Sequence, residues 1–190
     1  MYEILWFSAG KGSPFTPDPN NSKILLSCAG EPVRLVGNVR RIMYELKYDP
    51  HWSYTRVGIS SRTDAPNWAR ELLEKFIIDA SDFVDQHSAG QLSSRPVAAH
   101  PSFPLKRVFT PTLCELTKDS KMKHFERIIK NSGDGTSMKD ILFFDNELGN
   151  CRQIASLGVT VCYCPEGVTS KAWEMGLACF PSNNGKVVGL

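Results

Sequence analysis

The spacing of apolar residues changes period along this 190-residue chain, and the changes mark its elements. Ile141-Leu142-Phe143-Phe144 is a short apolar run between Asp140 and Asp145. It is too short for a helix and reads as a strand buried on both faces. Leu148, Cys151, Ile154, Ala155 and Leu157 then recur at helical spacing as far as Gly158. Val159 to Tyr163 is a second β-rich run. Residues 140 to 163 are therefore predicted as a strand, helix, strand unit of the parallel kind, with Asp145 at the carboxyl end of its first strand.

Upstream, residues 9 to 22 carry three prolines and two glycines and are predicted as loop. Lys23 to Ser27 and Pro32 to Leu35 flank Cys-Ala-Gly-Glu and suggest a small β-hairpin. Val39, Ile42, Met43 and Leu46 have helical spacing, stopped by Asp49-Pro50. Arg56 to Ser60 is a strand candidate, and Trp68, Leu72, Leu73 and Phe76 place an amphipathic helix over 65 to 78. Residues 80 to 105 are polar and without period, which predicts a long irregular, disordered loop. Leu113 to Leu116 is a short strand, Ser120 to Lys130 a helix, and Ser170 to Phe180 a last helix. From residue 55 onward strands and helices alternate. The expected fold is α/β, a Rossmann-like doubly wound parallel sheet with a small β-hairpin insertion, in a single domain over 1 to 190.

Composition narrows the function classes. The formal net charge is +2, from 22 basic and 20 acidic residues, so neither nucleic acid nor a membrane surface is an expected partner. The six cysteines include no C-x-x-C pair, and several lie in apolar runs, as reduced core cysteines do. Cys162 and Cys164 find no histidine at metal-ligand spacing. Ile4-Leu5-Trp6-Phe7 lacks a basic flank and is shorter than a signal-peptide core. A cytoplasmic protein is expected. Gly10-Lys11-Gly12-Ser13 lacks the spacing of a phosphate loop and precedes Pro14.

Ligands of doubly wound sheets bind outside the carboxyl ends of the strands. Those ends hold Ser60, Ser61 and Arg62, then Ser120 and Lys121, then Asp145 and Asn146. Hydroxyl, guanidinium, ammonium and carboxylate beside helix N-termini suit a phosphate and a divalent cation. Taken singly, each serine or aspartate also reads as an N-cap, and each lysine as a solvated side chain. Three such junctions in order favour a site. His124 is weighed as a group that orients a catalytic residue, but it lies beyond the first turn of its helix and is expected instead to pack or face solvent.

The segments Gly-Ile-Ser-Ser-Arg-Thr at 58 to 63, Ser-Lys-Met-Lys-His-Phe-Glu-Arg-Ile at 120 to 128 and Phe-Phe-Asp-Asn-Glu-Leu-Gly-Asn at 143 to 150 resemble motifs two, three and four of the haloacid dehalogenase superfamily. Their wording is most similar to the eukaryotic magnesium-dependent phosphatases. The resemblance implies a Mg2+-dependent phosphomonoester hydrolase acting on protein-tyrosine-phosphate-like or small sugar-phosphate substrates, so the implied partner is a phosphorylated small molecule or a phosphoprotein. It implies that Ser61 binds the transferring phosphoryl group, that Arg62 contacts the substrate phosphate, and that Lys121 offsets charge on nucleophile and phosphate. Asp145 resembles the magnesium ligand. Asn146 stands where many members carry a second acid and implies a neutral contact to metal or substrate. Thr117-Lys118-Asp119 departs from the Tyr-Pro-Gly often found before the third motif.

A larger departure lies upstream. The superfamily's first strand ends in Asp-x-Asp, with one aspartate as nucleophile and the other as proton shuttle. Residues 1 to 190 contain no Asp-x-Asp. The first central strand is thus expected to be missing, with the sequence an N-terminally incomplete version of a longer protein, or with Ile4 to Phe7 partly filling the gap. As it stands the chain is expected to be inactive. The alternative is a noncatalytic protein that binds phosphate ligands or a partner.

Overall fold

The computed structural model describes residues 12–84, 100–133, 135–180, 182 and 185–190. Strands β1 (Thr16–Asp18), β2 (Asn21–Leu26) and β3 (Pro32–Val33) form an antiparallel sheet in the order β1-β2-β3. The expected hairpin is its β2–β3 half. The proline-rich stretch predicted as loop instead contributes β1, an edge strand, where a proline removes no obligatory ladder bond.

Helix α1 (Val39–Tyr48) follows and buries Val39, Ile42, Met43 and Tyr44, close to its predicted face. Then come β4 (Ile59–Arg62), α2 (Pro66–Lys75), β5 (Ile77–Ile78), α3 (Ser81–Val84) and β6 (Phe103–Pro104). Here the structure corrects the sequence reading twice. The helix expected over 65 to 78 ends at Lys75, and the next two isoleucines pair antiparallel with β6. Residues 80–84 and 100–105, within the stretch expected to be disordered, hold a short helix and a strand; Phe103 and Leu105 are fully buried. The rest of that stretch lies outside the described residues.

Asp82 anchors this region. Its carboxylate accepts from Arg40 Nε at 2.6 Å and from the Asp79 amide at 3.0 Å, and it pairs with Lys23 at 3.2 Å. Burial acts to raise this carboxyl, but the bonds from Arg40, the Asp79 amide and Lys23 outweigh it and hold the group below its ordinary value. A depressed folded-state value stabilises the fold above the unfolded value, and that contribution is lost as pH falls through the folded one. Urea titrations should therefore show an acid-dependent loss setting in below about pH 4, shallower in an Asp82→Asn variant. An equally steep loss in that variant would exclude Asp82 as its source.

The rest of the chain forms β7 (Cys114–Thr117), α4 (Lys121–Ser132), β8 (Leu142–Asp145), α5 (Leu148–Ala155), β9 (Thr160–Tyr163), α6 (Ser170–Cys179) and β10 (Val187–Val188). β4 pairs parallel with β7, and β8 pairs parallel with β9, which pairs parallel with β10. Successive side chains of a strand point to opposite faces. Phe143 and Val161 accordingly pack with Phe125 of α4 and Cys151 and Ile154 of α5. Phe144 and Cys162 pack instead with the cluster that contains α1, α2 and Ala172 of α6. Gly176 lets α6 approach closely, since a Cβ there would lie 2.8 Å from the Phe144 ring. Helices therefore cover both faces, as a doubly wound α/β fold requires.

Among the described residues no strand lies between β4 and β8. A largely apolar cavity of about 460 Å³ runs between them, lined by Ile59, Ser60, Phe143 and Phe144 together with Met43 and Trp173. Ile4 to Phe7, the segment weighed for that gap, lies outside the described residues, as does Lys11 of the rejected phosphate loop. No described helix is long and apolar enough to cross a membrane.

Candidate active site

The site forms because parallel strands deliver their carboxyl ends to one edge of the sheet. In register, Ser61 of β4 sits beside Leu116 of β7 and Arg62 beside Thr117, while Asp145 of β8 sits beside Tyr163 of β9. α4 starts just after β7. Its first residue is Lys121, and its N-cap is Ser120, whose Oγ accepts from the Lys123 amide at 3.4 Å. Ser120 is thus occupied as a helix cap.

Lys121 joins the two half-sheets. Its side chain is 4% exposed, and Nζ lies 3.0 Å from Asp145 Oδ2, itself almost fully buried. The same ammonium donates to the Ser60 carbonyl at 2.5 Å and lies 5.3 Å from the centre of the Phe143 ring. A buried ion pair of this kind persists only when further hydrogen bonds satisfy both partners. Asp145 meets that condition: Oδ1 accepts from the Glu147 amide at 2.8 Å, and Asn150 Nδ2 lies 3.4 Å from both carboxylate oxygens. Asn150 also donates to Glu147 Oε2 at 2.8 Å, which fixes its amide orientation.

The two serines separate as strand alternation predicts. Ser60 is buried, and its Oγ lies 3.0 Å from His124 Nδ1. Ser61 is half-buried, and Arg62 is exposed. Among the described residues, neither the Ser61 hydroxyl nor the Arg62 guanidinium has a hydrogen-bond or ion-pair partner. Asn146 follows Asp145 directly and is half-buried. The structure therefore brings Lys121, Asp145 and the Ser60–Ser61 segment together, whereas no side-chain hydrogen bond or ion pair among the described residues ties Arg62 to them.

The sequence reading missed one group and left a second, His124, between packing and solvent. Asn150 sits in the first turn of α5, and its five-residue spacing from Asp145 was the available signal. His124 takes the packed alternative: it is fully buried, bonded through both ring nitrogens, and lies one turn after Lys121 on α4. Burial, followed by the nearby Lys121 charge, pushes its pKa below the ordinary histidine value.

The thiols add no nucleophile here. Cys151 Sγ donates to the Asp145 carbonyl at 3.4 Å, and burial, reinforced by the Asp145 charge, raises its pKa to about 12. Burial likewise raises Cys114 to about 11 and Cys162 to about 12. All six cysteines are free.

Among the described residues no three His, Cys, Asp or Glu side chains converge as a metal cluster. Asp145 and Asn146 nevertheless offer hard oxygen donors, and magnesium is commonly held by one or two carboxylates with water and substrate phosphate completing its shell. In donor chemistry the pair fits magnesium.

Comparison with known proteins bears on the family. A family model described as Acid Phosphatase matches residues 4–183. A Schizosaccharomyces pombe protein described as a HAD-like hydrolase superfamily protein is 27% identical over 156 residues, which cover 82% of this chain and 75% of that one. With parallel strand ends converging on a buried lysine and aspartate, and nearly the whole chain matched, this protein belongs to the acid phosphatase family of haloacid dehalogenase-like hydrolases.

Proposed function

We propose that residues 1 to 190 carry the phosphate-recognition half of a magnesium-dependent phosphomonoester hydrolase site. The observation behind this reading is the meeting at Lys121 of the carboxyl ends of β4 and β8, through Ser60 O and Asp145 Oδ2. Lys121 offsets negative charge on a bound phosphoryl group, and the Ser61 hydroxyl and Arg62 guanidinium contact its oxygens. Asp145 and Asn146 are this chain's donors to magnesium. When bound, the ion neutralises charge on the phosphoryl oxygens. The substrate class is a protein-tyrosine-phosphate-like or small sugar-phosphate monoester, and the free thiols suit a reducing cytoplasmic setting.

Asp145 has no part as nucleophile. Its carboxylate is held by Lys121, the Glu147 amide and Asn150, which suits a fixed electrostatic role. With no Asp-x-Asp in residues 1 to 190, binding without turnover is expected of this sequence. The absent motif also favours a second reading, in which phosphate binding itself is the function. The test is direct: residues 1 to 190 with magnesium release no phosphate from p-nitrophenyl phosphate above a Lys121→Ala, Asp145→Ala control, yet bind inorganic phosphate in a Lys121-dependent manner. Turnover that required both residues would refute binding without turnover, and absence of Lys121-dependent binding would refute the site.

A further inference from the structure

A single buried imidazole joins the elements that carry the candidate site. His124 Nδ1 lies 3.0 Å from Ser60 Oγ on β4, and Nε2 lies 2.9 Å from Thr117 Oγ1 at the end of β7. The ring projects from α4 one turn after Lys121, so both side chains leave the same face of the helix.

The surrounding bonds decide where its proton sits. Thr117 Oγ1 accepts from the Asp119 amide at 3.3 Å and from Arg127 Nη2 at 3.4 Å. A hydroxyl has two acceptor lone pairs and one proton, so with both lone pairs engaged Thr117 is left to donate to Nε2. His124 then carries its proton on Nδ1 and donates to Ser60 Oγ. Burial and the charges of Lys121 and Arg127 disfavour the imidazolium, and Glu115 and Asp119 act in the opposite sense without reversing the balance. These contributions favour the neutral ring, and the bonds at Thr117 favour its Nδ1–H tautomer.

Ser60 is consequently gripped twice from one helix face. Lys121 Nζ donates to its carbonyl at 2.5 Å while His124 Nδ1, in that tautomer, donates to its hydroxyl 3.0 Å away. That carbonyl belongs to the planar peptide unit that leads into the Ser61 amide, so the grip fixes the plane from which Ser61 departs. It also fixes Lys121 relative to Ser61, because both are referred to the same residue.

We propose that His124 is a positioning residue for phosphate recognition: as a neutral Nδ1–H imidazole it anchors Ser60, and through Ser60 it holds Ser61 and the Lys121 ammonium in one relative geometry. The proposal rests on the reading of Ser61 and Lys121 as phosphate contacts. Binding depends on such second-layer support, since a site left loose by a small displacement loses most of its complementarity.

The test uses the whole 190-residue chain, inorganic phosphate as the probe, and calorimetric titration. His124→Phe fills the space without either hydrogen bond and is expected to weaken phosphate binding about tenfold, or about 1.4 kcal/mol. His124→Asn, whose amide N–H stands in for Nδ1–H, recovers most of that loss. Ser60→Ala also weakens binding, and the double variant is no weaker than His124→Phe alone, because the bond that Ser60→Ala removes is already absent there. Ring ¹⁵N shifts of the parent chain are expected to show a protonated Nδ1 and an unprotonated Nε2 at pH 7.

Unchanged affinity in a folded His124→Phe chain, or simple additivity with Ser60→Ala, overturns the proposal. If His124→Phe does not fold, Ser60→Ala and the ring shifts decide: a protonated Nε2, or full affinity in Ser60→Ala, overturns it. Binding lost in Lys121→Ala but unaltered at His124 removes this proposal alone, whereas a parent chain that binds no phosphate removes the functional reading together with it.

Discussion

Lys121→Ala is expected to lower the unfolding free energy by about 3–5 kcal/mol, because it leaves the Asp145 carboxylate buried without its counter-charge. The Glu147 amide and Asn150 remain as donors, but neither carries a positive charge. The loss also removes the link between β4 and β8, since the same ammonium bonds the Ser60 carbonyl. The discriminating control is Lys121→Met combined with Asp145→Asn. Replacing both charges with neutral groups of similar size avoids the stranded carboxylate, and most of the stability should return. Urea denaturation followed by tryptophan fluorescence measures both variants. A loss below about 1 kcal/mol for Lys121→Ala would be the value of an exposed surface pair and would contradict the burial of this one.

Phe125→Ala is expected to cost about 3–5 kcal/mol, the usual loss for truncating a buried aromatic ring and leaving a cavity. Phe125 is 2% exposed and meets Phe143 edge to face, with ring centres 5.0 Å apart. This contact seats α4 on β8, and Phe143 in turn lies beneath the Lys121 ammonium. The variant should therefore weaken phosphate binding as well as stability, even under conditions in which the chain remains folded. Phe125→Leu keeps most of the volume and should cost less than about 2 kcal/mol with near-normal binding. If Phe125→Ala were destabilised but bound phosphate normally, the seating of α4 would be shown not to control the site.

The two variants address different links in one chain of cause. The apolar contact sets where α4 lies, and the ion pair uses that placement to bring charge from one helix to the ends of two strands. On the proposed reading, phosphate recognition at this site depends on packing several residues away from any phosphate oxygen.

The unit β8, α5, β9 was legible in the sequence because its pattern is local. An apolar run ending in Asp145, a helical period and a closing Gly158 require no distant partner, and the observed strand Leu142–Asp145 is shifted by only one residue. The same holds for α4, predicted over 120 to 130 and found at Lys121–Ser132. The short strands were not legible. Ile77–Ile78 pairs with Phe103–Pro104 across a stretch of polar sequence, and Val187–Val188 pairs with β9. Two-residue strands have no period of their own, so only the partner edge defines them.

By itself, the sequence determined the alternation of strands and helices, the three motif junctions with Ser61, Arg62, Lys121, Asp145 and Asn146, and the lack of an Asp-x-Asp in these 190 residues. Residue type and spacing suffice for those conclusions, since a strand-end acid or a helix-start lysine is a local fact. Tertiary structure decided which of those residues meet. It paired Lys121 with Asp145, left Arg62 exposed, committed Ser60 rather than Ser61 to an internal bond, and placed His124 between β4 and β7. The physical reason is that ion pairing and tautomer choice depend on distance and burial, and both arise only when strands far apart in sequence are brought side by side.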